Sequence, residues 1–246
     1  MSSQDLTDKT VLVTGGGSGI GLGIARALAA EGCRVAISGR NEQKLADAAA
    51  AFDAGQTVAY RPCDVSDRAD ANALVEWFEQ QWGSPDILVN SAGVNVAKRS
   101  IADLDPEEFD RVMAINNTGT FNCVHAVLPG MRRRKSGLIV NISSIAGKRG
   151  MRLAGVAYCA SKFAVAALCT TIGLEERANG IHVTNVYPGE VDTPILAERP
   201  VPVPPEKLAQ MLKPEDVAAC VVTIAKLPAR ALVPELVITP LYQEYA

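Results

Sequence analysis

Short apolar runs alternate with amphipathic segments along the whole chain. Seven of these runs are rich in β-formers and bounded by turn residues, which predicts strands at 10–14, 34–38, 57–61, 87–90, 137–142, 182–186 and 236–238. The intervening segments predict helices at 21–31, 42–51, 69–81, 106–128, 157–179 and 214–227. Strands that alternate with helices in this way favour a parallel sheet covered by helices.

The connections between the strands set the expected topology. Right-handed crossovers give a doubly wound sheet. We therefore predict a single-domain α/β Rossmann fold over residues 1–246, with seven parallel strands in the order 3-2-1-4-5-6-7 and helices on both faces. Residues 199–205 contain four prolines and are expected to form an extended loop. Because this loop follows a strand end, we predict a substrate lid at about 194–212.

The composition limits the function classes. The 246 residues carry a net charge of −3, which provides no basic surface for nucleic acid. The N-terminal residues lack the apolar core of a signal peptide, and no apolar run is expected to cross a bilayer. We therefore expect a cytoplasmic, soluble protein with neither nucleic-acid nor membrane partners. Six cysteines without a Cys-x-x-Cys pair, and only two histidines, favour reduced structural thiols and no metal site.

A glycine-rich turn follows the first predicted strand and leads into a helix. Its glycines have the spacing G-x-x-x-G-x-G, at Gly15, Gly19 and Gly21. In a strand-turn-helix setting, the backbone amides of such a turn converge on one point and suit a pyrophosphate. The alternative is a plain tight turn. The predicted cofactor contacts from this turn are Gly15, Gly17, Ser18, Gly19, Ile20 and Gly21.

The residues after the second strand bear on cofactor choice. An acidic residue there would accept hydrogen bonds from the ribose 2′-hydroxyl of NAD. The stretch Ser38-Gly39-Arg40-Asn41 has no carboxylate, whereas Arg40 can bind a 2′-phosphate through charge-assisted hydrogen bonds. We predict NADP(H) over NAD(H). The alternative is that Arg40 points into water, and the glycine turn offers no second basic residue.

Tyr158 and Lys162 stand one helical turn apart, so the ammonium can lie near the phenol and favour its ionised form. Chemistry near neutral pH would require the phenol pKa to fall from about 10 by roughly three units, or about 4 kcal/mol. One solvated lysine contributes about 1 kcal/mol at contact distance. The pair therefore predicts a desolvated pocket and a second positive charge, unless it is a chance Tyr-x-x-x-Lys.

Further motifs occur in a fixed order. They are Asp64-Val65, Asn90-Ser91-Ala92-Gly93, Asn116, Ser143-Ser144, the Tyr158 and Lys162 pair, and Pro188-Gly189 followed by Val191 and Thr193. With the glycine turn, they resemble the short-chain dehydrogenase/reductase family over essentially the whole chain. The resemblance implies cofactor contacts from Asp64, Val65, Asn90, Ala92, Gly93, Tyr158, Lys162, Pro188, Gly189, Val191 and Thr193. It also implies a catalytic set of Asn116, Ser144, Tyr158 and Lys162, with Ser143 as the rival serine.

The resemblance implies hydride transfer between NADP(H) and a carbonyl or secondary alcohol of a small substrate, as in a ketone or aldehyde reductase. Tyr158 would move the proton, Ser144 would hold the carbonyl oxygen and Asn116 would anchor a water chain from Lys162. The alternatives are a 3-oxoacyl reductase of carrier-protein or CoA substrates and a non-catalytic NADP(H)-binding regulatory protein. Residues 234–240 lack the Asp-Gly-Gly ending of typical carrier-protein reductases. Family members commonly form homotetramers, so a homotetramer or a dimer is expected.

The substrate itself is not predicted. The candidate substrate contacts are Ser144, Val94, Met151, Tyr187, Glu190 and Ile195, a largely apolar set. Three basic residues near the serine, Lys148, Arg149 and Arg152, are candidates for binding a substrate carboxylate or phosphate. The alternative is that they belong to a solvated loop or a subunit contact.

Overall fold

A computed structural model describes residues 4–244 of the chain, so residues 1–3 and 245–246 of the predicted domain lie outside the described residues. Seven strands form one sheet, and every pairing in it is parallel. The strands are β1 Thr10–Thr14, β2 Arg34–Gly39, β3 Val58–Pro62, β4 Ile87–Asn90, β5 Gly137–Ile142, β6 Ile181–Pro188 and β7 Glu235–Ile238. Their order, β3-β2-β1-β4-β5-β6-β7, confirms the predicted doubly wound Rossmann class.

Eight α-helices surround this sheet within the described residues. They are α1 Gly19–Ala30, α2 Glu42–Ala50, α3 Arg68–Trp82, α4 Pro106–Met113, α5 Gly119–Arg134, α6 Val156–Glu176, α7 Pro205–Leu208 and α8 Pro214–Ala225. Side-chain caps set several of the starts: Asn41, Asp67 and Asp105 each accept a hydrogen bond from a backbone amide in the first turn of the following helix.

The strands alternate their side chains between two helical layers. Val11 and Val13 of β1 pack into one buried cluster with α1 and α8, whereas Leu12 packs on the opposite face with α3 and α5. Because helices cover both faces, β1 and β4 are buried along their whole length. The cysteines all lie in the described part of the chain and are all free.

The predicted helix 106–128 was wrong in its form and its end. The structure has two helices, α4 and α5, joined by a π-helical turn at Ala114–Thr118, and α5 continues past Pro129 to Arg134. A proline normally favours the end of a helix. Here Met131, two residues further on, is fully buried against Gly137 of β5, so tertiary packing outweighs that local preference.

The prediction that no apolar run could cross a bilayer was also wrong. One helix in the described chain is long enough and apolar enough to do so. Within the helical stretch Val156–Asn179, an 18-residue segment has a mean hydropathy of 1.4, and only 28% of that segment is buried. The core helix of a soluble protein can have the same length and apolar composition. α6 packs along β6, and its outward face exposes apolar side chains that include Phe163 and Leu174.

Candidate active site

A long cleft crosses the sheet at its carboxyl edge, where the strand order reverses between β1 and β4. This is the edge at which open α/β sheets bind ligands. Among the predicted cofactor contacts, the cleft is lined by Gly15, Ser18, Gly19, Ile20, Arg40, Gly93, Tyr158, Lys162 and Thr193. Asp64, Val65 and Ala92 line a smaller recess at its outer end, beside Arg40.

The glycine turn leaves no room for a side chain at Gly15 or Gly21. Gly15 has φ +66°, and a Cβ atom there would lie 2.6 Å from the Ser91 carbonyl oxygen. A Cβ atom on Gly21 would overlap the carbonyl oxygen of Gly15. Ser18 begins α1 without a side-chain cap, and the first turn of α1 contains no acidic residue. The amides at this helix start therefore face the cleft as an anion-binding site that fits a pyrophosphate.

The outer end of the cleft carries two basic residues. Arg40 and Lys44 both line the cleft, and both are exposed. The Lys44 side chain crosses the glycine turn, since a Cβ atom on Gly17 would lie 3.7 Å from its Cγ atom. Sequence reasoning missed Lys44 because it looked for basic residues only within the turn and directly after β2.

Asp64, at this end, is held by Ser66, whose backbone amide and hydroxyl both donate to Asp64 Oδ1, at 3.0 and 2.6 Å. These bonds, with a smaller contribution from Arg40, keep the pKa of the Asp64 carboxyl below its usual range although burial acts to raise it. Asn90 is also a predicted cofactor contact. Its amide nitrogen donates to Asn141 Oδ1 on β5 at 2.9 Å, so this buried side chain joins two strands and does not line the cleft.

The inner end of the cleft brings the four predicted catalytic residues together. Tyr158 and Lys162 lie on α6, with Lys162 Nζ 5.6 Å from the centre of the Tyr158 ring. Lys162 is 5% exposed and donates to the Ile142 carbonyl oxygen at 2.9 Å. A Cβ atom on Gly93 would lie 3.5 Å from Asn116 Oδ1 and 3.6 Å from Lys162 Nζ, so these two polar groups converge on one point.

Asn116 owes its place to the π-helical turn between α4 and α5. Its amide nitrogen donates to Val94 O and Ser161 Oγ, both at 3.0 Å, and its oxygen accepts from Val94 N at 2.8 Å. These bonds hold the fully buried side chain between the β4 end and α6. A π-helical turn is a common device for redirecting a functional side chain, and the sequence pattern carried no signal for it.

The two serines after β5 have different surroundings. Ser143 is buried, and its hydroxyl donates to the Lys162 carbonyl oxygen at 3.3 Å. Ser144 is half-buried, caps the 3₁₀ turn Ile145–Gly147, and lies within hydrogen-bonding reach of the Tyr158 hydroxyl. The geometry therefore favours Ser144 over Ser143 as the partner of Tyr158.

The expected effect of Lys162 on Tyr158 is not found in this structure. Burial raises the pKa of Tyr158 to about 12, and the hydrogen bond from Ser144 and the charge of Arg99 oppose this rise. Burial also lowers the pKa of Lys162 to about 8. The same desolvation that would strengthen a charge interaction disfavours both charged forms, and the Lys162 ammonium is directed to a carbonyl oxygen. Arg99 supplies a positive charge near Tyr158 that sequence reasoning did not identify.

An inner pocket opens beside Tyr158. It is lined by five of the predicted substrate contacts or catalytic groups, namely Ser144, Met151, Tyr158, Glu190 and Ile195, and by the predicted cofactor contacts Pro188, Gly189, Val191 and Thr193. The pocket is also lined by Asn95, Leu153 and Leu196, and by three residues that sequence reasoning missed, Arg99, Arg199 and Gln243. Val94 lines the long cleft instead.

Tyr187 and the basic loop lie elsewhere. The buried Tyr187 hydroxyl donates to Glu235 Oε1 at 3.0 Å, and Lys148 forms an ion pair with Glu235 and lies 4.5 Å from the centre of the Tyr187 ring. None of Lys148, Arg149 and Arg152 lines the inner pocket. Of the two alternatives for this loop, the structure favours the one in which it does not face the substrate, because Lys148 is paired with Glu235 of β7.

Glu190 connects the predicted lid with the C-terminal segment. It is 9% exposed and contacts Arg199 at 2.8 Å, Lys207 at 3.0 Å and the Tyr242 hydroxyl at 2.6 Å. Burial acts to raise the pKa of Glu190, but the hydrogen bonds from these three side chains outweigh it and hold the pKa below its usual range. A parallel bridge between Val191 and Leu212 closes the base of the lid segment.

The predicted lid segment consists of a 3₁₀ turn, Pro194–Glu198, followed by an extended stretch and the single turn of α7. The extended loop expected over residues 199–205 is therefore present up to Pro204, and Pro205 begins α7. Ile195, Leu196 and Arg199 bring this segment into the wall of the inner pocket.

Comparison with known proteins agrees with this arrangement. The family model described as short chain dehydrogenase matches residues 9–201, and the chain belongs to this family of oxidoreductases. An uncharacterized oxidoreductase of Staphylococcus aureus strain MW2 is 35% identical over 235 residues, covering 96% of this chain and 98% of the relative.

Solved structures extend the comparison. An alcohol dehydrogenase from the archaeon Thermococcus sibiricus, complexed with 5-hydroxy-NADP, is 29% identical with a TM-score of 0.87, covering 97% of this chain and 99% of that one. A serine dehydrogenase in its closed form with NADP+ is 30% identical with a TM-score of 0.87, covering 96% and 97% of the two chains.

Proposed function

We propose that this protein is an NADP(H)-dependent oxidoreductase that interconverts a carbonyl and a secondary alcohol on a small substrate. The observation that carries the proposal is the meeting of Ser144 and Tyr158 in one pocket, at the inner end of a cleft whose glycine turn fits a pyrophosphate. A bound nicotinamide supplies or accepts the hydride. The chain's own residues position the substrate and handle the proton.

Tyr158 is the proposed acid and base. With a pKa of about 12, its phenol is protonated at neutral pH, which suits proton donation to a carbonyl oxygen during reduction. Ser144 holds the same oxygen and stabilises the charge that develops on it. In the oxidative direction the phenol must lose its proton, and Arg99 is the cation near it that favours this form.

Lys162 and Asn116 form the proposed route by which Tyr158 regains a proton. A lysine pKa of about 8 allows the amine to give up and take back a proton near neutral pH. The Asn116 side chain converges on the same point and holds the neighbouring backbone of Val94. Substitution of either residue is expected to lower kcat more than it weakens cofactor binding.

NADP(H) is the proposed cofactor because two cations, Arg40 and Lys44, line the outer end of the cleft. The alcohol dehydrogenase and the serine dehydrogenase with similar folds are both complexes with NADP forms. A phosphate on the ribose 2′-oxygen would receive charge-assisted hydrogen bonds from such side chains.

We also propose a homo-oligomer, a homotetramer by family resemblance. The support is the outward apolar face of α6, on which Phe163 is 43% and Leu174 60% exposed. Contiguous exposed apolar surface commonly marks an association site. Light scattering of the purified protein tests this, and a monomer at micromolar concentration would contradict it.

The first experiment is turnover of NADPH and NADH with a panel of ketones, aldehydes and oxo acids, followed by the loss of reduced-nicotinamide absorbance. Tyr158→Phe should lower kcat by about 100-fold or more while NADPH binding is retained. Tyr60→Phe is the matched control, because this tyrosine lies on β3 and is exposed. Equal loss in both variants, or full turnover by Tyr158→Phe, would contradict the proposal.

A further inference from the structure

Arg99 is a buried cation without a carboxylate partner among the described residues. It is 8% exposed, and its guanidinium donates to three backbone carbonyl oxygens: Val96 at 2.8 Å, Leu153 at 2.9 Å, and Glu198. These acceptors lie in the loop after β4, the loop before α6 and the lid. Carbonyl oxygens satisfy hydrogen bonds but do not neutralise the charge, and a buried unpaired charge is costly.

Arg199, the second arginine of the inner pocket, does not remove this excess of positive charge. Arg199 pairs with Glu190 at 2.8 Å, but the same carboxylate also pairs with Lys207 at 3.0 Å. One negative charge is thus shared by two positive charges. The carboxylate of Glu198, which acts electrostatically on Arg99, belongs to an exposed residue and is screened by water.

The two arginines are close enough to repel each other. Burial lowers the pKa of Arg99, and the charge of Arg199 lowers it further, whereas Glu198 and Tyr158 raise it. Both arginines line the pocket that Ser144 and Tyr158 also line. The remaining wall is mostly apolar, with Ile145, Met151, Leu153, Ile195 and Leu196. Positive charge is therefore confined to one part of a small pocket.

We propose that the natural substrate is a small oxo or hydroxy acid whose carboxylate is bound by Arg99 and Arg199 while its carbonyl or hydroxyl group meets Ser144 and Tyr158. This inference rests on the proposed function and names its substrate class. The carboxylate supplies the counter-charge that the pocket lacks.

The donor geometry favours a carboxylate over a phosphate. A guanidinium group has five N–H bonds. Arg99 uses Nε, Nη1 and Nη2 once each on backbone carbonyls, which leaves one N–H on each terminal nitrogen for a ligand. Two donors match the two oxygens of a planar carboxylate. A phosphate has three oxygens to satisfy, and no lysine other than the Glu190-bound Lys207 contacts this cluster in the described chain.

The competing explanation is that Arg99 only joins three loops and has no ligand. Pairs of substrates that differ only in the carboxylate charge distinguish this explanation from the proposal. The assay measures kcat/KM for pyruvate, acetoacetate and levulinate, each beside its methyl ester, which keeps the carbonyl but removes the charge. The best acid should exceed its ester by about 100-fold, the effect of removing one partner of a buried charge pair. A wild-type protein that turns over the esters as fast as the acids overturns the inference.

Amino-acid substitutions in the pocket provide a second test of the same proposal. Arg199→Met should remove most of the acid-over-ester ratio and leave ester turnover within about threefold, as expected for a lost charge contact. Arg99→Met should also remove most of the acid-over-ester ratio, whatever its effect on ester turnover through Tyr158, and Arg199→Met keeps the test decisive if Arg99→Met does not fold. Arg152→Met is the control, because this exposed basic residue lies outside the inner pocket and should leave the ratio unchanged.

The outcomes separate the inference from the proposed function. Turnover of neutral ketones or esters without preference for acids, or an Arg199→Met variant that lowers both rates equally, overturns the inference and leaves the reductase function standing. Faster turnover of dihydroxyacetone phosphate than of every acid would also overturn it. No turnover of any carbonyl compound would instead contradict the proposed function itself.

Discussion

Lys162 and Tyr158 share one face of α6, with Lys162 Nζ 5.6 Å from the centre of the Tyr158 ring and 2.9 Å from the Ile142 carbonyl oxygen. The lysine therefore lies over the ring of the tyrosine and is anchored to the end of β5. Both side chains have pKa values displaced by burial, Lys162 downward to about 8 and Tyr158 upward to about 12. The site thus holds its proton-transfer groups in their neutral forms more readily than solvent would.

The lowered pKa of Lys162 predicts a pH-dependent stability. Between about pH 8 and 10.5 the unfolded chain binds more protons at Lys162 than the folded chain does, so folding becomes more favourable as pH rises through this window. Relative to Lys162→Met, the free energy of unfolding of the wild type should rise by about 2 kcal/mol between pH 8 and pH 10. Urea unfolding of both proteins without cofactor measures this.

Other groups also titrate at alkaline pH, including Tyr158 and several buried cysteines whose pKa values are raised. The wild type and Lys162→Met both contain these groups, so their contributions cancel in the difference between the two proteins except for that of Cys169, whose pKa the charge of Lys162 lowers. A difference that stays constant with pH would mean that Lys162 is not desolvated in the folded chain.

The two serines after β5 should differ in their effect on catalysis. Ser144→Ala removes the hydroxyl within reach of Tyr158 and should lower kcat by about 100-fold, as loss of an oxyanion donor does. Ser143→Ala removes a hydrogen bond to the Lys162 carbonyl oxygen and should act mainly on stability, by about 1 kcal/mol. Steady-state kinetics and thermal unfolding of both variants test this, and the reverse order of kcat values would assign the role to Ser143.

Cofactor choice should depend on both cations of the outer cleft. Arg40→Ala and Lys44→Ala should each raise the KM for NADPH about tenfold or more, by removing a charge-assisted contact to phosphate. Neither change should alter the KM for NADH by more than about threefold, because NADH lacks that phosphate. Arg40→Asp should reverse the preference. An unchanged ratio of NADPH to NADH specificity in all three variants would remove Arg40 and Lys44 from this role.

The glycine turn offers a steric test. Gly21→Ala places a Cβ atom against the Gly15 carbonyl oxygen and should abolish measurable cofactor binding, because the turn must open to admit it. Gly150→Ala is the matched control, since a Cβ atom there meets nothing within 4 Å. Cofactor titration by protein fluorescence measures both, and tight binding by Gly21→Ala would show that the turn is not the pyrophosphate site.

Local patterns predicted most of the fold. The bounds of β1, β4 and β5 match the prediction, and the strand order follows from right-handed crossovers. The errors lie where tertiary contacts override local preference. The helix that was expected to end before Pro129 continues because Met131 is buried, and the π-helical turn that positions Asn116 leaves no periodic signal in the sequence.

The sequence by itself determined the sheet, the glycine turn and the order of the motifs, because these depend on residue periodicity and on spacing within a few turns of chain. Only the tertiary structure decided which charges face the pocket. Arg99 lines the pocket and donates a hydrogen bond to the carbonyl oxygen of Glu198, 99 residues further along the chain. Lys148 is much nearer to Ser144 in the sequence, but it pairs with Glu235. Such pairings depend on which loops meet at the sheet edge and on which charges find partners there, and these are long-range properties that no local pattern encodes.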